Sequence, residues 1–221
     1  MQLHVLDTAE LMIRQSGGTD FSMRGLATVA NVSPTTPYNF FGSKEGLLYE
    51  LLERNLSSFV KEGFPGEGDP LEHVVVSIDK AVGMLLKDPV LLRPLYQVML
   101  GLTDPVHHPR FLSRAFTFYR GTLDFAVERK LIEEEEQTML ACSMMAHFMG
   151  VLDLWVHEDI DDTGFRAQIS YGIAHLLWPY ARGKSLEQLR KRFEAAKGIL
   201  KKKKNPKFLG HDVHRQGKIK A

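Results

Sequence analysis

Apolar residues return every three or four positions along most of this 221-residue chain, and no stretch alternates as a strand would, so the pattern predicts an all-α protein. Val5, Ala9, Met12 and Ile13 make one stripe of a helix over about 2–15, which Gly17-Gly18 breaks. Phe21 packs ahead of Ser22, a good N-cap for a second helix over 23–30 with Met23, Leu26, Ala27 and Ala30 on one face. Asn31 tolerates the left-handed conformation that ends helices, and Val32 can plug the corner. Ser33 then caps a third short helix with Pro34 at its first position, running through Thr35, Thr36, Tyr38 and Asn39 to Gly42. Phe40 and Phe41 are expected to turn into the core. Ser43 caps a fourth helix over about 44–61, whose stripe of Leu47, Leu48, Leu51, Leu52, Leu56, Phe59 and Val60 is longer than a small domain can use. That helix is expected to join two parts of the molecule.

The segment 63–69 (GFPGEGD) is the clearest linker. Beyond it the helical pattern continues over about 70–86, from Asp88-Pro89 to 100, over 109–130, 133–157, 164–182 and 186–200, with a loop at 101–109 and a turn at 159–163. There is no internal repeat. The reading is a three-helix unit with helix-turn-helix spacing at 1–60, a larger helical domain at 61–200, and a basic tail at 201–221 without a packing pattern.

Charge changes this picture. Residues 1–60 carry four Lys or Arg against six Asp or Glu, residues 61–181 ten against eighteen, and residues 182–221 fourteen against three. The amino-terminal part therefore lacks the overall basic charge of a simple nucleic-acid binder, so placement must matter more than total. Arg24 and Lys44 lie at helix starts beside the third helix, while Asp7, Glu10 and Glu53 can face elsewhere. The single cysteine, Cys142, excludes an internal disulfide and, in an apolar run, is expected to be buried. No signal peptide and no unbroken apolar run of about 18 residues are found, which suggests a cytoplasmic protein with no membrane span. His107-His108 lacks a third ligand at useful spacing, and no serine sits in a Gly-rich elbow. No phosphate-cradling loop is present either, so no metal, no cofactor and no enzyme activity are expected.

What remains is the polar stretch 22–44 (SMRGLATVANVSPTTPYNFFGSK), whose spacing is that of a helix-turn-helix. Thr35, Thr36, Tyr38 and Asn39 would enter a major groove, while Ser33, Thr36, Tyr38 and Lys44 can donate hydrogen bonds to phosphates. The stretch resembles the DNA-binding domain of tetracycline-repressor (TetR) type regulators. The likeness is carried by Val5, Ala9, Met12 and Ile13; by Ser22, Arg24, Leu26 and Ala27; and by Val32-Ser33, Thr36, Tyr38, Phe41, Ser43-Lys44-Glu45 and Leu47-Leu48. It covers about a quarter of the chain. Two departures stand out: Pro37 occupies a position where the family more often has a helix former, and almost nothing precedes the first helix where a basic arm is often found. The resemblance implies an all-helical homodimeric repressor that reads a palindromic operator in double-stranded DNA and is released by a small effector. On it, Thr35, Tyr38, Asn39 and Arg24 are expected at base edges and Ser22, Ser33, Thr36 and Lys44 at phosphates.

The second half is dense in methionine and aromatic residues. Tyr96, Met99, Phe116, Tyr119, Met144, His147, Phe148 and Trp155 are candidates to line a pocket for an apolar or aromatic effector, oriented by Tyr119, His147 or Asp153. Residue by residue the same set reads more readily as a tight core and dimer interface, and it is the resemblance that implies a cavity. In the family the last two long helices pair between subunits; here Ala141, Met145, Phe148, Leu152, Ile169, Ile173, Ala174 and Leu177 would form that seam. The rival function is a helical lipophile-binding or scaffold dimer without specific DNA binding.

Overall fold

The computed structural model describes residues 1–60, 68–101 and 104–203, with side chains throughout except at 56–60. The side chains of Leu56, Phe59 and Val60 in the long stripe, most of the linker at 63–69, and residues 204–221 of the basic tail lie outside that description. Among the described residues the chain is all-helical: α1 (Gln2–Ser16), α2 (Met23–Val29), α3 (Thr36–Phe41), α4 (Lys44–Val60), α5 (Pro70–Lys87), α6 (Pro89–Gly101), α7 (His107–Glu128), α8 (Glu134–Val156), α9 (Asp162–Leu177) and α10 (Gly183–Lys202), with one 3₁₀ turn at Trp178–Tyr180.

The ends of these helices follow from local chemistry. The Ser22 Oγ accepts from the Gly25 amide at 3.0 Å, and Ser43 does the same for Gly46. Asp69 accepts from the Leu71 and Glu72 amides with Pro70 in the first turn, and Asp161 accepts from Gly164. Asn31 closes α2 in the left-handed region at φ 52°. Asp104 takes the amides of Val106 and His107, so α7 starts two residues before the sequence pattern suggested. At the other end, α9 stops at Leu177 instead of near 182, because Pro179 cannot donate to a continuing helix.

The first three helices close over Val5, Ala9, Ile13, Met23, Leu26 and Phe41, with the amino-terminal half of α4 beneath them through Leu47, Leu48, Leu51 and Leu52. The His4 Nε2 donates to the Ala30 carbonyl at 3.0 Å and ties α1 to the end of α2. α4 runs on to pack against α6 and α7, and α1 touches α6, so one continuous core spans both parts. The larger body is built from α5 to α9. α10 lies on α9 and α5: Phe193 stacks on Tyr171 with centroids 4.7 Å apart, and Arg192 pairs with Asp79 at 2.6 Å and Glu72 at 3.1 Å.

Three expectations are corrected. Phe40 is 40% exposed, whereas Phe41 is buried, since successive positions on a short helix point about 100° apart. Cys142 is exposed. Ala141, Phe148, Leu152, Ile169, Ile173, Ala174 and Leu177, chosen as an intersubunit seam, are buried within the single chain, and Met145 is partly so. α8 and α9 carry apolar residues nearly all round, so periodicity could not tell the inward face from the outward one.

Candidate nucleic-acid interface

α2 and α3 meet across a five-residue corner, 31–35, held by backbone bonds from Asn31 to Thr28 and from Val32 to Ala27 at 3.1 and 3.0 Å. The third helix does not begin at Ser33. Thr35 occupies its N-cap position, Thr36 is its first residue, and the Ser33 hydroxyl is bonded to the hydroxyls of Thr35 at 3.0 Å and Thr36 at 2.8 Å. This later start places Pro37 within the first turn, where a missing amide hydrogen removes no helical bond. The departure that threatened to kink the recognition segment is therefore harmless, and the Pro37 ring is buried beside Phe41 as an anchor.

Around that anchor the outward side is polar and open. Arg24, Ser22, Ser33, Thr35, Tyr38 and Asn39 are exposed, and Thr36 and Lys44 are half-buried. Phe40 joins them at the surface and was missed by pattern, because an aromatic pair gives no signal of which ring faces in. The Lys44 ammonium sits 5.2 Å above the Phe21 ring, which steadies it at the start of α4. Of the eight residues proposed from sequence, Ser22 caps α2 and the other seven lie on α2, the corner, α3 or the first residue of α4.

Three of the six acids of residues 1–60 are paired with arginines. Asp7 and Glu10 both meet Arg54, Glu10 also meets Arg14, and Glu53 meets Arg114 at 2.6 Å. These acids are on α1 and α4, and their partners come from α1, α4 and α7. Arg24 and Lys44 have no acidic partner among the described residues, so the two cations beside α3 remain available to an anion.

The eight candidate effector residues are less uniform. Tyr96, Met99, Tyr119, Met144, Phe148 and Trp155 are buried, and Phe116 is half-buried. Tyr119 and Phe148 are tilted together at 5.9 Å, Phe148 meets Phe165 edge-on at 5.9 Å, and Phe165 stacks on Trp155 at 5.1 Å. Tyr96 meets Phe111 edge-on at 6.2 Å. Two candidates are already committed. The Trp155 indole donates to Asp162 at 2.8 Å, and the His147 ring lies against Gly172 on α9 with its Nε2 donating to the Gln168 carbonyl at 3.1 Å. Asp153 is exposed beside His157 and does not orient anything inside. His107 is partnered by Asp104 at 3.1 Å and stacks on Tyr49 of α4, and no group of three metal-ligating side chains occurs among the described residues.

No protein-family model matches the sequence, and no curated protein matches it. Solved structures match in shape. A TetR transcriptional regulator from Rhodococcus sp. RHA1 is 21% identical, with a TM-score of 0.64 over 81% of this chain and 96% of its own. SmeT, the repressor of the Stenotrophomonas maltophilia multidrug efflux pump SmeDEF, is 19% identical, with a TM-score of 0.65 over 84% of this chain and 92% of its own.

Proposed function

From the TetR-like fold of this chain we propose a sequence-specific DNA-binding transcription regulator, a homodimeric repressor released by a small apolar or aromatic effector. One observation carries the reading: the solvent-facing side of α2 and α3 is polar, and among the described residues no acidic side chain pairs with the two cations beside it, whereas Asp7, Glu10 and Glu53 on α1 and α4 pair with Arg14, Arg54 and Arg114. Thr35, Tyr38, Asn39 and Arg24 contact base edges; Ser22, Ser33, Thr36 and Lys44 hold phosphates. Phe40 adds an apolar surface suited to a thymine methyl. Residues 1–60 form the reading unit and 61–200 the effector and dimer unit.

Dimerisation is assigned to the outward side of α8. Met139 is 64% exposed, and Cys142, Ser143, Ala146 and Gly150 follow it on the same face; no Asp, Glu, Lys or Arg occurs from Gln137 to Leu152. α8 is the described helix whose length and composition would let it cross a membrane, yet its other side is packed in the core. A second copy of this chain is the partner that covers such a face without a bilayer. The effector acts between the helices of the larger body and tilts α4, which touches α7 through the Tyr49–His107 stack at 5.3 Å and the Glu53–Arg114 pair.

The test is in vitro selection from random duplexes with the full chain, followed by titration across salt. Enrichment of an inverted repeat supports the reading. Weak binding of all duplexes alike points instead to a lipophile-binding or scaffold dimer.

A further inference from the structure

The last described residue, Lys203, sits at the turn between α8 and α9. α10 runs antiparallel to α9: Phe193 stacks on Tyr171 midway along, and the Lys203 ammonium meets Asp161 at the start of α9. The same turn holds Arg93 of α6. Its guanidinium lies 4.5 Å over the Trp155 ring and pairs with Glu158 at 3.2 Å and Asp162 at 2.7 Å. Just ahead of α6, Asp88 pairs at 2.6 Å with Arg14 in the last turn of α1. A line of direct contacts thus joins Lys203 to the reading unit. It runs about 8 Å along α6 and at most about 22 Å along α1, besides the side chains that bridge them, before α3 is met.

Beyond Lys203 the sequence places five cations, Lys204, Lys207, Arg215, Lys218 and Lys220, against one acid, Asp212. Lys201 and Lys202 in the last turn of α10 are exposed and extend the same charge onto the body. The nearest acids do not absorb it. The turn 158–162 holds four, and three already have cationic partners: Glu158 and Asp162 in Arg93, and Asp161 in Lys203. Residues 1–60, with four Lys or Arg against six acids, bring little of the electrostatic attraction that duplex binding draws on. Reach is sufficient: the 18 residues 204–221 would measure about 27 Å as a helix and about 60 Å extended, against roughly 30 Å of α6 and α1. We propose that residues 204–221 are a second, sequence-independent DNA contact, whose lysines and arginine lie along the phosphates flanking the site read by α3. Each phosphate so neutralised releases a counterion whatever base stands beside it. The inference rests on the DNA-binding reading and extends the contact to a region outside the helix-turn-helix.

The experiment uses the full-length protein in three forms. These are the wild type, a neutral variant (Lys204→Gln/Lys207→Gln/Arg215→Gln/Lys218→Gln/Lys220→Gln) and a charge-preserving variant (Lys204→Arg/Lys207→Arg/Lys218→Arg/Lys220→Arg). Binding to a random-sequence duplex and to the selected duplex is titrated across salt, with helical circular dichroism as the check on folding. The neutral variant should bind both duplexes roughly tenfold more weakly or worse at low salt, with a salt slope shallower by about two to four. Its preference for the selected duplex should be unchanged, and the charge-preserving variant should match the wild type. The inference is overturned if the wild type binds neither duplex, if the neutral variant keeps the wild-type slope or changes base preference, or if the charge-preserving variant also loses binding. Charge-dependent binding to phosphatidylserine vesicles with no change on duplexes would assign the segment to a membrane and overturn it too. An unchanged slope leaves a selected inverted repeat standing. Conversely, slope loss in a protein that selects no sequence would end the regulatory reading and keep the DNA contact.

Discussion

Gly172 sets how closely α8 and α9 approach: a Cβ built there would overlap the His147 imidazole, and the His147 Nε2 reaches across to the Gln168 carbonyl. Gly172→Ala should therefore destabilise the protein by about 1–3 kcal/mol in urea unfolding, the usual scale for overpacking, and His147→Ala should restore most of the loss. His147 was chosen from sequence as an effector ligand because a histidine among methionines looks like a polar handle; what sequence could not show was a glycine 25 positions away leaving room for its ring. Burial lowers the His147 pKa below its ordinary value of 6.5, against weaker opposing bonds to the α9 backbone. The unfolded chain then binds a proton more readily than the folded one. The stability associated with neutral His147 is complete above pH 6.5 and declines as pH falls toward the folded-state pKa. A His147→Gln variant should lose that part of the pH dependence between pH 7 and 5. At the proposed interface, Asn39→Ala should cost roughly 1–3 kcal/mol on the selected site and relax preference at one base pair. Lys44→Ala should weaken all duplexes alike and reduce the salt slope by about one. A change of base preference in Lys44→Ala would contradict this sorting of contacts.

Most helices were legible because their ends carry local chemistry: Ser22, Asn31, Ser43 and Asp69 each mark a boundary within a residue or two. Ser22→Ala should lower stability by about 1 kcal/mol in thermal or urea unfolding, the loss of one N-cap. The start of α3 was misread by two residues because three hydroxyls, Ser33, Thr35 and Thr36, can each stand at a helix start; in the structure Thr35 takes the N-cap position and the Ser33 hydroxyl bonds to those of Thr35 and Thr36. α8 was legible as a helix and illegible as a surface. Its stripe of Ala141, Met144, Phe148, Leu152 and Trp155 is internal, and the alternative stripe from Met139 to Gly150 faces outward. If that outward face joins two copies, Met139→Glu and Ala146→Glu should shift sedimentation from dimer to monomer and leave the helical circular dichroism unchanged. A dimer that survives both changes would move the interface elsewhere.

At the scale of the whole molecule, the two-part helical plan was readable from a long fourth stripe followed by a linker, and the solved TetR structures share that plan. The total charge of the first 60 residues does not show where the charges sit: Asp7, Glu10 and Glu53 are paired with Arg54, Arg14 and Arg114, while Arg24 and Lys44 stand beside α3. The same arginines fasten α1 and α4 to the rest: Arg14 bridges Glu10 and Asp88, and Arg114 on α7 holds Glu53 on α4. α4 is thus held at its Tyr49 and Glu53 positions by α7, so a shift of α7 would be carried along α4 toward α3. The central claim is that α3 is offered twice per assembly to base edges. Its most direct test is selection of bound sequences from a random duplex pool, with the spacing of any repeated element measured. The account predicts an inverted repeat whose half-sites lie about one duplex turn, ~34 Å, apart and whose enrichment is lost with Arg24→Ala/Asn39→Ala. No enriched sequence, or an enriched one indifferent to those two changes, would contradict it.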